Sequence, residues 1–175
     1  MYSSETLCID LKGLTDEKSV FNFALDDEYF EAIDAPDVKK GQVRCELVIN
    51  KMSTFYELNF HTEGIIQIPC DRCLDDMDQE ICTDDKLIVR FGEEYSEEDD
   101  YVTVPEDEGI LDLSWFIYEF IVLNIPIKHV HASGLCNAAM MKLLEEHTIT
   151  RSNGEDEETA IDPRWSKLSE LLNKN

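Results

Sequence analysis

The stretch VRCELVINKMSTFYELNF, Val43 to Phe60, decides the fold class. Val43, Cys45, Leu47 and Ile49 recur at every second position. After Lys51, Met52 and Ser53 the alternation resumes with Tyr56, Leu58 and Phe60, and it carries on to Ile66 and Ile68. A period of two places these side chains on one face of a strand. Two such runs joined by a short polar break predict a β-hairpin with one buried face.

Working outward from the hairpin, Leu7, Ile9 and Leu11 predict an earlier strand, and Ile81, Leu87, Val89 and Phe91 a later one over Glu80 to Phe91. Asp26 to Ile33 suits a short helix presenting Tyr29, Phe30 and Ile33. From Gly92 to Gly109 the acids Glu93, Glu94, Glu97, Glu98, Asp99, Asp100, Glu106, Asp107 and Glu108 occur without a basic residue, which predicts a mobile acidic loop. The period then lengthens. Leu113, Phe116, Ile117, Phe120 and Leu123 lie three or four apart, so a helix is expected after Asp112 as N-cap, closing at Pro126. A second helix over Asn137 to His147 would present Met140, Met141 and Leu144. The acidic stretch Arg151 to Ile161 reads as a linker. A last helix starts at Asp162 and Pro163 and carries Trp165, Leu168, Leu171 and Leu172. The sum is an α+β protein: an antiparallel β-rich N-terminal half, as a sheet or open barrel, with helices in the C-terminal half.

At 175 residues the chain can bury a sizeable core without disulfide staples. Its 39 acidic residues against 15 basic ones leave a formal net charge of -24. Polyanions are repelled by such a surface, whereas a basic partner is drawn in at a rate that falls with salt. Met1 to Gly13 shows no basic region followed by a long apolar run, so no export is expected. Leu111 to Ile127, the most apolar segment, is broken by Asp112, Glu119, Asn124 and Pro126, too polar for a membrane span. The expected location is the cytoplasm, with no membrane partner and with reduced cysteines.

One motif carries chemistry. Cys70-Asp71-Arg72-Cys73 at the end of a predicted strand has the spacing of a metal-binding or redox pair. The rest of a zinc site would come from His131 and Cys136, with His129 as the other candidate, in a Cys3His set. Alternatively the cysteines are small apolar residues and no cofactor is bound. A thioredoxin-like role is disfavoured, because that motif opens a helix and this one follows a strand; Asp71, Asp75 and Asp76 also oppose thiolate formation. Cys45 is in phase with a core face and reads as packing, while Cys8 and Cys82 are out of phase. There is no Gly-rich phosphate loop, no Gly-x-Ser-x-Gly elbow and no His-Glu-x-x-His helix. His61 reads as a surface residue and His147 as a favourable charge at a helix end. The expectation is therefore a binding protein, not an enzyme.

For nucleic acid, the available cations are Lys39, Lys40, Arg44 and Lys51, with Lys128 beside His129 and His131. They would serve direct RNA binding only if they gathered on one face. Arg164 and Trp165 have the composition that protein-binding hot spots favour, and they are candidates for partner contact.

Taken in order, Cys70-Asp71-Arg72-Cys73-Leu74, Leu111-Asp112-Leu113, Pro126-Ile127-Lys128-His129 and Asp162-Pro163-Arg164-Trp165 resemble the YceD-like family of bacterial and plastid proteins. The resemblance implies a domain over residues 1–150, with 151–175 as acidic linker and C-terminal helix. It also implies a non-catalytic role in accumulation of large-subunit ribosomal RNA in the cytoplasm. Combined with the charge, it points to a basic ribosomal protein or ribosome-assembly factor as partner, with ribosomal RNA contacted through it. Direct RNA binding is the alternative. Many relatives carry a second Cys-x-x-Cys after the central helix. Here Gly134-Leu135-Cys136-Asn137-Ala138-Ala139 keeps at most one of those cysteines, so metal binding depends on His131 or His129.

Overall fold

Val43, Cys45, Leu47 and Ile49 all lie buried on β3 (Lys40–Lys51), and Tyr56, Leu58, Phe60, Ile66 and Ile68 on β4 (Tyr56–Pro69). The two strands pair antiparallel from Lys51 opposite Tyr56 to Lys40 opposite Gln67, so the predicted hairpin is the spine of the fold. The computed structural model describes residues 7–98 and 101–148. The chain divides into two compact units, Met1–Met141 and Lys142–Asn175.

In the first unit, β2 (Lys18–Leu25) pairs with β3 on one side of the hairpin, and β5 (Asp76–Gly92) with β4 on the other. Two short strands, β6 (Ser96–Glu97) and β7 (Val102–Pro105), complete a six-stranded sheet in the order β2-β3-β4-β5-β7-β6. All neighbours are antiparallel except β5 and β7. A separate pair joins β1 (Cys8–Asp10) to β8 (Ile110–Asp112). With α1 (Asp27–Ala32) in the first half and α2 (Ser114–Leu123) and α3 (Ala138–His147) in the second, the architecture is α+β, as the alternation predicts.

Both helices of the core are tied to the sheet by side chains that the sequence places at helical spacing. Asp26 caps α1 by accepting from the Tyr29 N–H, and Tyr29 and Phe30 are fully buried. The Tyr29 hydroxyl donates to the Ser114 carbonyl at 2.7 Å, and the Asp37 N–H donates to the Tyr118 hydroxyl at 3.0 Å, linking the α1 region to α2. Phe120 of α2 stacks at a tilt on Phe60, ring centroids 5.2 Å apart. Such aromatic contacts add about 1 kcal/mol each to the area they bury.

The sequence expectations need four corrections. Gly92 to Gly109 is not a plain acidic loop: Val102, Thr103 and Val104 are buried in β7, parallel to β5. Three residues inside an acidic run are too few for a period to show, but burial on the sheet gives them a strand's environment. The edge strand β2 has no counterpart in the sequence reading, although Phe21 and Phe23 pack against the core. The start of α2 is displaced by one residue, with Leu113 in the N-cap position. Asp112 still serves the helix start, its carboxylate accepting from the Ser114 N–H at 2.8 Å and the Ser114 hydroxyl at 2.6 Å. The helix closes at Leu123, before Pro126, and Leu123 is 79 % exposed, not part of the buried stripe; Tyr118 and Ile121 are buried in its stead.

Asn137 caps α3, its side-chain oxygen accepting from the Ala139 and Met140 N–H groups. Met140 and Met141 are half-buried and Leu144 exposed. In the second unit the described residues are 142–148, where the Thr148 N–H donates to the Leu144 carbonyl at 2.8 Å. The predicted linker Arg151 to Ile161 and the helix from Asp162, with Arg164 and Trp165, lie outside the described residues. Among the described residues no helix is long and apolar enough to cross a membrane.

Candidate metal centre

β4 ends at Pro69, and the chain turns back into β5 through Cys70 to Asp75. The turn is tight. The Leu74 N–H donates to the Cys70 carbonyl and the Cys70 N–H to the Asp75 carbonyl, both at 2.9 Å, with Leu74 in the left-handed region at φ 63°. A non-glycine residue there costs on the order of 1 kcal/mol, which the turn's two hydrogen bonds offset. The result is that Cys70 and Cys73 are both buried, 0 % and 1 % exposed, with their sulfurs on one side of the turn.

The segment after α2 supplies the other half. The Asp71 N–H donates to the His129 carbonyl at 3.0 Å, and the Asp71 carboxylate accepts from the His129 N–H at 2.8 Å. The same carboxylate lies 3.4 Å from His129 Nε2. This two-way clamp brings His131 and Cys136 over the turn. Cys73 Sγ is 3.3 Å from His131 Nδ1, and Cys70 Sγ is 4.0 Å from Cys136 Sγ. Asn137 closes the loop by donating from its side-chain nitrogen to Asp75 at 3.1 Å.

The four ligand atoms of Cys70, Cys73, His131 and Cys136 lie within 4.8 Å of one another. Tetrahedral zinc with bonds of about 2.3 Å to sulfur and 2.0–2.1 Å to nitrogen separates its ligand atoms by about 3.6–3.8 Å. The observed separations fit this with small adjustments, and the donor set of three thiols and one imidazole is one that zinc accepts. The cluster can therefore hold a metal ion. His129 is not part of it. Its ring is turned to the Pro126 carbonyl and Asp71, so its role is to position the segment.

The electrostatics of the turn bear on ionisation of the thiols. Burial alone would push the Cys70 thiol up, but the backbone N–H groups of Cys73, Arg72 and His131, together with the His131 ring, bring it down to about 6. The Arg72 and His131 N–H groups stand 3.5 Å and 3.4 Å from its sulfur. Cys136 is pushed up to about 11 by burial and then by the Cys70 and Cys73 sulfurs. The hydrogen bond with Cys70 raises His131, and Cys73 adds to the rise. At Cys70 these N–H groups and the His131 ring outweigh burial, while Asp71 and Asp75 accept from the His129 N–H and the Asn137 side chain.

The cations do not gather in the same way. Lys40 and Lys51 are the first and last residues of β3, about 36 Å apart at a strand's rise of 3.3 Å per residue. Lys51 donates to the Leu14 carbonyl, and Arg44 stands opposite Glu63 of the next strand. Lys39 and Lys128 are exposed, and Lys128 precedes His129 at the cluster. His61 is exposed and bonded to Asp84 at 2.7 Å, a surface residue as its phase predicts, and Cys45 is buried in the core. The clamp from Asp71 to His129 has no signal in the sequence, since the two residues are 58 positions apart and neither motif requires the other.

Compared with known proteins, the chain matches one family model over residues 58–172, described as large ribosomal RNA subunit accumulation protein YceD. No curated protein and no solved structure matches it.

Proposed function

Because the chain belongs to the YceD family, and so to proteins named for accumulation of the large-subunit ribosomal RNA, we propose that it is a non-catalytic ribosome-biogenesis factor acting in the cytoplasm. It works by binding a basic ribosomal protein or assembly factor, and ribosomal RNA is held through that partner. The charge carries this reading. At -24 the protein attracts cationic surfaces and repels phosphate backbones. The separation of Lys40 from Lys51 along β3 favours a protein partner over RNA for the same reason.

Within this role Cys70, Cys73, His131 and Cys136 hold a structural zinc ion, closing the β4–β5 turn onto the segment after α2. All four positions of a tetrahedral ion are filled by protein, so no open site is left for a substrate. Zinc would supply cross-linking here, with three thiolates and a neutral imidazole as donors. Arg164 and Trp165 contribute to partner contact from the C-terminal segment.

Two measurements test the reading. Elemental analysis of protein purified without chelating resin should give one zinc per chain, falling to none in Cys70→Ser. Recovery of the endogenous protein from cells across a salt gradient should yield a basic ribosomal protein released as salt rises and retained after nuclease treatment. Recovery of RNA alone, lost on nuclease treatment, would establish direct RNA binding in its place.

A further inference from the structure

Helix α2 reads SWFIYEFIVL, and Glu119 is its one charged residue. A surface helix ordinarily turns charged residues to water, and a helix apolar all round is covered on every side. Yet among the described residues α2 is covered on one side alone. Phe116, Ile117 and Ile121 are buried, while Trp115, Glu119 and Leu123, at i, i+4 and i+8 on the opposite face, are exposed. Trp115 is 47 % exposed and Leu123 79 %.

This face is held in a fixed orientation. The Trp115 indole N–H donates to Glu119 at 2.9 Å, and its ring packs on buried Tyr118 with centroids 5.1 Å apart. Just before β6, Tyr95, also half exposed, donates from its hydroxyl to Glu97 at 2.5 Å. Burial, then Glu97, and then the Asp112 and Glu119 carboxylates all act to keep that hydroxyl protonated. β6, β8 and α2 contain no Lys or Arg among them. Rigid, exposed Trp and Tyr cost little entropy when covered, and an aromatic face bordered by carboxylates attracts guanidinium and ammonium groups.

We propose that the Trp115–Leu123 face of α2, with the acids that border it, is a docking surface for a basic amphipathic segment of a protein partner. Arg or Lys side chains of that segment meet Glu97, Asp112 and Glu119, and an adjoining apolar strip covers Trp115 and Leu123. The proposal rests on the reading that the protein works on a basic protein, and it adds the place of contact and the chemistry of the contacting segment.

The test uses the full chain and an 18-residue helical peptide with one Arg-rich and one Leu-rich face. Trp115→Ala should weaken binding by about tenfold or more, within the range of hot-spot truncations. Glu97→Gln with Glu119→Gln should weaken it and flatten its salt dependence. Glu46→Gln with Glu63→Gln removes the same charge from exposed positions of β3 and β4, on the face of the sheet away from Phe60 and α2, and should change affinity less than about twofold, as a remote charge does. Should Trp115→Ala fail to fold by circular dichroism, Leu123→Glu on the same face must show the same loss. Equal losses in the Trp115 and Glu46/Glu63 variants would reduce the effect to diffuse charge and overturn the proposal, as would tighter binding of a single-stranded RNA to the same face. In cells, equal recovery of a basic ribosomal protein by wild type and Trp115→Ala would remove this surface while leaving the function in place. If neither recovers one, the function fails, and the peptide titration still decides whether the surface exists.

Discussion

Along β3 and β4, core neighbours are two residues apart in sequence or directly opposed across a hairpin, whereas the Cys/His cluster joins residues 58 and 66 positions apart. The hairpin is held by continuous apolar burial on a paired ladder. The segment over the cluster has no such core, since Ala132, Ser133, Gly134 and Leu135 are all exposed. Its order rests on the Asp71–His129 clamp, the Asn137–Asp75 bond and the sulfur and nitrogen donors themselves. One region carries its stability in its own sequence, and the other borrows it from cross-links.

Metal removal separates the two most sharply. On the proposed zinc assignment, an ion at 1,000 times its dissociation constant would add about 4 kcal/mol to the folded state. After chelation, hydrogen exchange should show the amides of residues 129–137 losing protection nearly completely. Those of β3 and β4 should stay protected by the stability that the apolar core retains. Collapse of the whole sheet on chelation would show that the hairpin, too, depends on the ion.

The reverse cut comes next in size. Leu58→Ala in the fully buried face of β4 should cost about 3 kcal/mol by urea unfolding of the zinc-free protein. Zinc stoichiometry of the folded fraction should remain one per chain, because Leu58 touches none of the four ligands' segments in the ladder. A smaller loss is expected at Gly64 of β4. A Cβ there would collide with the Gln42 carbonyl oxygen and lie 2.6 Å from Val43 Cα, both backbone atoms of β3. Gly64→Ala should therefore cost about 1–3 kcal/mol, the range of overpacking, and should shift the amide signals of Gln42 and Val43 in preference to those near Cys70.

The same contrast governs what can be read before folding. The hairpin, α1 and the buried side of α2 are legible because local periodicity and burial coincide, as at Val43 to Ile49 and Leu113 to Ile117. β7 and β2 are not, because β7 is three buried residues among acids and β2 is a half-buried edge whose pattern means little without its partner. For the cluster, the Cys-x-x-Cys announces half a site by its spacing, and Cys136 with His131 can be offered as its complement on chemistry alone. What brings them together is the Asp71 clamp to His129, and long-range polar contacts of that kind leave no periodic trace. Leu123 fits the apolar pattern of α2 so well that its exposure is visible only once the helix is docked, whereas Trp115 stands outside that stripe and is exposed as its phase allows.

The least perturbing way to probe the sheet acts on the opposite face from the core. His61 on β4 bonds to Asp84 on β5 at 2.7 Å, and both residues are exposed. That hydrogen bond raises the His61 pKa above its ordinary value, with Asp84, Glu63 and Glu46 adding by charge and partial burial opposing. A histidine whose folded value is raised binds its proton more tightly in the native state. Its contribution to stability is therefore fully present below the unfolded value of about 6.5 and is lost as the pH rises through the folded value. NMR titration should place the His61 midpoint above about 6.5 and return it toward that value in Asp84→Asn. Because the pair is solvent-screened, the same substitution should leave the core amides of β3 and β4 and the zinc stoichiometry unchanged. A His61 midpoint unaffected by Asp84→Asn would mean that the surrounding acids together, not this one bond, hold the proton on the sheet's outer face.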